Sequence, residues 1–193
     1  MTKAIIFDCF GVLVDTIYEK FKPKISEDVY AKISEVSRLT DHGNISSVEG
    51  EMRITHILSD VGLDGVHELS EIWAASRRRY DLLNYILFLR KAYKTGLLSN
   101  TGDFIYQVIS KTEIEQHFDD AVLSYQVHML KPDKDIYNLA AKRLGVEPNE
   151  CIFVDDRQVN IDGAGAVGMQ GILYKDFVQF KLELNSLLEG KVA

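Results

Sequence analysis

Two kinds of hydrophobic pattern alternate along this chain. Short, nearly unbroken apolar runs occur at AIIFD (4–8), TGLLS (95–99), DAVLS (120–124), CIFVD (151–155) and GILY (171–174). Between them lie stretches whose apolar positions recur every three or four residues. The first kind predicts strands buried on both faces and the second amphipathic helices, so their alternation predicts an α/β fold, a three-layer Rossmann-like parallel sheet. Helices are expected over Asp103–Thr112, over Asp133–Leu144, which follows Pro132 and stops at Gly145, and over Gln158–Val167 before Gly168.

The interval from Thr16 to Arg90 departs from this alternation. KISEDVYAKISEVSRL (24–39), EGEMRITHILSDVGL (49–63) and VHELSEIWAASRRRY (66–80) carry helical periodicity, with no strand-like run between them. The pattern therefore predicts a helical insertion at 16–90 within an α/β core made of 1–15 and 91–193. Both ends of the insertion return to the same core, a connection compatible with hinged movement. Trp73 and Tyr80 are expected in the apolar interior of the insertion.

Several of these strands end on polar residues. AIIFD ends on Asp8, TGLLS on Ser99, and CIFVD on Asp155 with Asp156 next. In open α/β sheets ligands sit beyond the carboxyl ends of the strands, near the point where strand order reverses, so these residues are expected to converge on one site. Asp8, behind an apolar strand and before Gly11, presents a carboxylate able to attack an electrophile. Adjacent Asp155 and Asp156, with Asp8 nearby, repel one another unless a cation lies among them, and a hard dication with oxygen ligands, Mg²⁺ for choice, relieves this. One of the pair is also expected to cap the helix that follows. Ser99-Asn100-Thr101 precedes a helix start, where N–H groups and a hydroxyl suit a bound anion and equally suit an ordinary cap. Lys131 stands at a helix N-terminus, the end that favours anions, and so reads as a counter-charge for a phosphoryl group. Asn160, one turn past Asp156, can orient that carboxylate or Lys131, while Arg157 can pair with the acids or be solvated.

In order along the chain, FDCFGVLVD, LLSNTGD, LKPDKDIY and FVDDRQVNIDGAGAVG resemble the four motifs of the haloacid dehalogenase (HAD) superfamily of hydrolases. The resemblance covers essentially the whole chain and implies a small helical cap at 16–90. By resemblance Asp8 is the nucleophile, Lys131 assists catalysis and binds substrate, and Ser99 and Asn100 bind substrate. The same resemblance implies Mg²⁺ held by Asp8, the main-chain carbonyl of Phe10 and chiefly Asp156, with Asp155 supporting through water. Phe10 stands where phosphatases of the family usually carry a second Asp, which protonates the leaving group and then activates water. Three functions stay open. A Mg²⁺-dependent phosphatase acting on a small phosphorylated metabolite through an aspartyl-phosphate fits Asp8, Lys131 and the acid pair. A 2-haloacid dehalogenase fits the aromatic at position 10 and LSN, because halide leaves without a proton, but such enzymes usually replace the acid pair. A noncatalytic domain binding a phosphorylated ligand or a protein has no use for so many costly charges.

Composition narrows the partners. With 22 basic and 29 acidic residues the net charge is -7, which repels nucleic acid and anionic membrane. No run approaches the ~18 apolar residues of a membrane span, and no secretory signal opens the chain, so a cytoplasmic location is expected. Cys9 and Cys151 read as reduced core thiols, Arg77-Arg78-Arg79 as a solvated helix face, and the five histidines lack metal-ligand spacing. Neither substrate identity nor oligomeric state is legible in this pattern.

Overall fold

A computed structural model describes residues 1–15, 22–75, 77–103 and 114–189, so the expected helix Asp103–Thr112 lies outside the described residues except at its first position. Five strands, β1 (Ala4–Phe7), β2 (Lys94–Ser99), β3 (Asp120–Leu123), β4 (Cys151–Asp155) and β5 (Gln170–Leu173), form one sheet in the order β3-β2-β1-β4-β5. Every pairing is parallel. Each agrees with its predicted run to within a residue at either end.

The α-helices among the described residues are α1 (Glu27–Asp41), α2 (Ser47–Ser59), α3 (Gly65–Ala75), α4 (Tyr80–Leu89), α5 (Ser124–Val127), α6 (Lys134–Leu144), α7 (Gln158–Gly165) and α8 (Phe177–Glu189). Alternation along β1 divides them. Ala4 and Ile6 join Ile136, Tyr137, Ala140 and Ala164 of α6 and α7 in one apolar layer. Ile5 and Phe7 join Leu82, Leu83, Ile86 and Leu89 of α4 and Phe180 and Leu184 of α8 in the other. Full burial of a side chain such as Phe180 or Leu184 contributes about 1.5–3 kcal/mol.

Helix α4 packs on β2 and so lies on the sheet, whereas the helices before it in the insertion pack on one another, α1 on α2 and α2 on α3. Helix α1 starts at Ser26, whose hydroxyl accepts from the Val29 amide, and carries Glu27 and Asp28 in its first turn, where the dipole favours acids. Its Ile33, Val36 and Thr40 are buried, and α1 packs against α2.

The structure departs from expectation at Tyr80 and at the arginine triplet. Tyr80 is 57% exposed, because it opens α4 at the surface. The Trp73 side chain lies outside the described residues. The arginine triplet falls between α3 and α4 and is no helix face: Val14 and Arg78 form an antiparallel bridge, Asp15 N–H donates to the Arg77 carbonyl, and Arg79 pairs with Asp15 at 3.3 Å. Chain entry to and exit from the insertion are thus side by side. Among the described residues no helix is long and apolar enough to cross a membrane.

Candidate active site

The strand order reverses at β1, which is flanked by β2 on one side and β4 on the other. Asp8 follows β1 directly and still donates its N–H to the Val154 carbonyl of β4. Asp155 ends β4 and Asp156 follows. The sheet therefore delivers the first and fourth motifs to one point, and one oxygen from each of Asp8, Asp155 and Asp156 lies within 4.8 Å of the others.

A single ammonium stands among the three acids. Lys131 Nζ lies 2.7 Å from Asp8 Oδ1 and 2.7 Å from Asp155 Oδ2, with its side chain almost wholly buried. Asn100 fixes it from behind: the amide nitrogen donates to the Lys131 carbonyl at 3.0 Å, and the amide oxygen accepts from the Lys131 N–H at 2.9 Å.

The two adjacent acids have different surroundings. Asp155 is saturated, since its oxygens also accept from the Arg157 N–H at 2.9 Å and from Asn160 Nδ2 at 2.9 and 3.0 Å. Asn160 thus orients Asp155, not Asp156 or Lys131, and its own carbonyl accepts from the Tyr137 hydroxyl at 2.8 Å. The Arg157 amide that Asp155 meets belongs to the residue just ahead of α7, and not to the first turn of the helix. In contrast, Asp156 Oδ1 is buried without a hydrogen-bond partner.

Such an orphaned carboxylate oxygen is costly unless a cation completes it. Burial raises the Asp8 carboxyl well above its usual range; Lys131 pulls it down, and Asp155 and Asp156 push it up again. Asp156 is raised by burial and by Asp155. Burial works against the Lys131 ammonium, yet Asp155 and Asp8 outweigh it and raise that group. Three carboxyl groups around one ammonium leave a deficit of positive charge, which suits a hard dication bound by oxygens.

Gly11 makes room for that arrangement. Its φ is +86°, and a Cβ there would lie 2.1 Å from Asp156 Oδ2. Gly11→Ala is expected to displace Asp156 and to cost about 1–3 kcal/mol from the positive φ alone, measured by denaturant unfolding. An unchanged midpoint would show that the loop relaxes.

A cavity of about 770 Å³ opens over the acids. Its floor includes Asp8, Phe10, Asn100, Thr101, Lys131 and Asp156. Its roof is one face of α1, where Tyr30, Ser34, Ser37, Arg38 and Asp41 recur at helical spacing opposite the buried Ile33 and Val36. Ser99 does not reach it: the side chain is buried, and its hydroxyl meets only the Asn100 carbonyl at 3.5 Å, while Thr101 takes the place on the wall. Sequence reasoning also missed the α1 face, although its polar stripe was available at the same period as its apolar one.

Comparison with known proteins bears on the family and the fold. The sequence model for haloacid dehalogenase-like hydrolases matches residues 2–168. D-ribitol-5-phosphate phosphatase of Bacteroides thetaiotaomicron is 28% identical over 209 residues, covering 98% of this chain and 100% of that protein. (S)-2-haloacid dehalogenase 4A of Burkholderia cepacia is 31% identical over 106 residues, 50% of this chain and 46% of that protein. The crystal structure of a HAD-family enzyme from Bacteroides thetaiotaomicron, in complex with magnesium and inorganic phosphate, matches with a TM-score of 0.71 at 24% identity, covering 91% of this chain and 95% of that one.

Proposed function

We propose a phosphatase function for this chain, which belongs to the haloacid dehalogenase-like hydrolase family and is a hydrolase by that membership. The substrate is a small phosphorylated carbohydrate or polyol, and the phosphoryl group passes through an aspartyl-phosphate on Asp8. The carrying observation is Asp8 at the floor of the cavity, held at 2.7 Å by Lys131, beside the orphaned oxygen of Asp156.

Each part has a role in this reading. Asp8 attacks phosphorus with the carboxylate oxygen that Lys131 leaves free. Lys131 orients Asp8 and neutralises charge that develops on the phosphoryl oxygens. Asp155 keeps Lys131 in place, Asn160 keeps Asp155 in place, and Asn100 fixes the Lys131 backbone. Asp8, the Phe10 carbonyl and Asp156 would hold Mg²⁺, with Asp155 behind them. When bound, that ion supplies Lewis-acid polarisation of the phosphoryl group and lowers repulsion between it and Asp8. Ser34 and Ser37 in the roof donate their O–H to the Tyr30 and Ile33 carbonyls and present oxygens that can accept from the hydroxyls of a polyol chain. Helices α1 to α3 form the substrate-selecting cap in this reading, and the α/β core supplies the nucleophile and its counter-charge.

The relatives named above support this reading: the phosphatase spans the whole chain, whereas the dehalogenase matches half of it. Phe10 keeps the dehalogenase as a second reading, and the unsatisfied Asp156 is what that reading leaves without a purpose. A panel of p-nitrophenyl phosphate, three- to six-carbon sugar and polyol phosphates including ribitol 5-phosphate, and 2-haloacids separates them. Phosphate release that stops with EDTA and returns with Mg²⁺ is the expected result. Halide release that persists in EDTA would replace it with dehalogenation, and phosphate binding without turnover with a noncatalytic domain.

A further inference from the structure

Phe10 leaves the proposed transfer without the acid that protonates a departing alkoxide. A phosphoryl group attacked by Asp8 from the floor expels its leaving oxygen roughly in line, toward the roof. Among the described residues four carboxylates line the cavity: Asp8, Asp41, Asp133 and Asp156. Asp8 and Asp156 belong to the acid cluster, and Asp133 is exposed ahead of α6. Asp41, the last residue of α1, is the remaining one, and it lies on the roof side.

The end of α1 is seated firmly on the core. The Asp41 carbonyl accepts from Ser124 Oγ at 2.5 Å, Ser124 Oγ accepts from the Thr101 N–H at 2.9 Å, and the next carbonyl, His42, meets His128 Nδ1 at 2.9 Å. Gly102 permits the approach, since a Cβ there would lie 2.5 Å from Ser47 Oγ and 2.6 Å from Thr40 Cγ2. The half-buried Asp41 carboxylate, by contrast, has no hydrogen-bond or ion-pair partner among the described residues. Its place is therefore set by its backbone, and its oxygens are open to a ligand.

We propose that Asp41 is the general acid and base of this enzyme, supplying from the insertion the proton transfers that Phe10 cannot. The proposal rests on the phosphatase reading. As the Asp8 oxygen bonds to phosphorus and the P–O bond to the alcohol breaks, the Asp41 carboxylic acid gives its proton to the leaving oxygen. The Asp41 carboxylate then takes a proton from water as that water attacks the aspartyl-phosphate, which frees inorganic phosphate and restores both acids. Atoms and charge balance as phosphate monoester plus water giving alcohol plus phosphate.

The surroundings suit this task. Lys131, Asp133, Asp156 and Arg157 of the core and Lys22 and Arg38 of the insertion line the same cavity as Asp41. Burial pushes the Asp41 carboxyl up to about 7, against the downward pull of Lys131 and Arg157, so near neutrality it can both give and take a proton.

Asp41→Asn tests the assignment with two substrates, p-nitrophenyl phosphate and the alkyl phosphate of the panel that wild type turns over fastest. In the first turnover, read as the burst of alcohol or phenol release, the alkyl rate is expected to fall by ~10²–10³-fold while the aryl rate, whose leaving group needs no proton, changes by less than about threefold; the later hydrolysis of the shared aspartyl-phosphate slows for both. In wild type the alkyl rate falls as pH rises through about 7, where the acid loses its proton, and in Asp41→Asn that limb disappears. Adding Phe10→Asp to Asp41→Asn restores alkyl turnover, and the ratio of the two rates remains readable if that double variant folds only in part. An unchanged alkyl burst in Asp41→Asn, or equal losses in the alkyl and aryl bursts, overturns the assignment. Wild type that releases phosphate from neither substrate removes the phosphatase reading itself.

Discussion

Asp8→Asn removes turnover, with a loss of at least ~10³-fold on aryl and alkyl phosphates alike, because no other group can form the covalent intermediate. The substitution keeps the shape of the side chain and an oxygen that can accept from Lys131 Nζ and from the Cys9 N–H, both now partners of Asp8. It also removes one of three mutually repelling carboxyl groups. The unfolding midpoint is therefore expected to be no lower than that of wild type. Activity within tenfold of wild type would take the nucleophile's role from Asp8, and a collapsed midpoint would make its role structural.

Lys131→Met has the largest expected effect on stability. The ammonium is the partner of both Asp8 and Asp155, and its side chain is 1% exposed, so removing it strands two buried acids. Breaking a buried pair in this way costs about 3–5 kcal/mol. The loss has a pH signature. Asp8 is already raised in the folded protein, and without Lys131 it rises further, so the folded state binds more protons than the unfolded one across the interval between the two pKa values. Stability then falls with rising pH, and the deficit of Lys131→Met against wild type should be smaller at pH 5 than at pH 8. Denaturant titrations at the two values read this directly, and equal deficits would mean that the lysine stabilises by packing alone. Turnover is expected to vanish in the same variant, since Asp8 loses its orientation and the phosphoryl group its counter-charge.

The parts legible in the sequence were those where one local rule acts alone. An unbroken apolar run reads as a buried strand, and a run that stops on an acid locates that acid at the edge of the sheet. For that reason the five strands and the meeting of Asp8 with Asp155 and Asp156 could be anticipated. Parts that depend on two remote segments could not. Nothing local distinguishes Asp155, saturated by Lys131, Asn160 and Arg157, from Asp156, which has an oxygen left over. Ser99 and Thr101 are two residues apart and equally polar, and only the direction in which the chain leaves β2 puts one in the interior and the other on the cavity wall. Helices α4 and α8 escaped for another reason: in YDLLNYILFL apolar residues cover most of the surface and blur the period, and α8 follows the last strand with a sparse one. Asp41 escaped because a single acid at the end of a helix has no meaning until the opposite wall is known.

The bridge between Val14 and Arg78 has an evolutionary corollary. Since the chain departs and returns at neighbouring points, whatever is spliced between Asp15 and Arg77 can lengthen, shrink or be exchanged without altering strand order or shifting the lysine and acids beneath. With the substrate selected by the insertion, as proposed above, selectivity becomes an interchangeable cassette. If Asp41 belongs to that cassette, each exchange also renews the source of the proton, which frees position 10 to become aromatic.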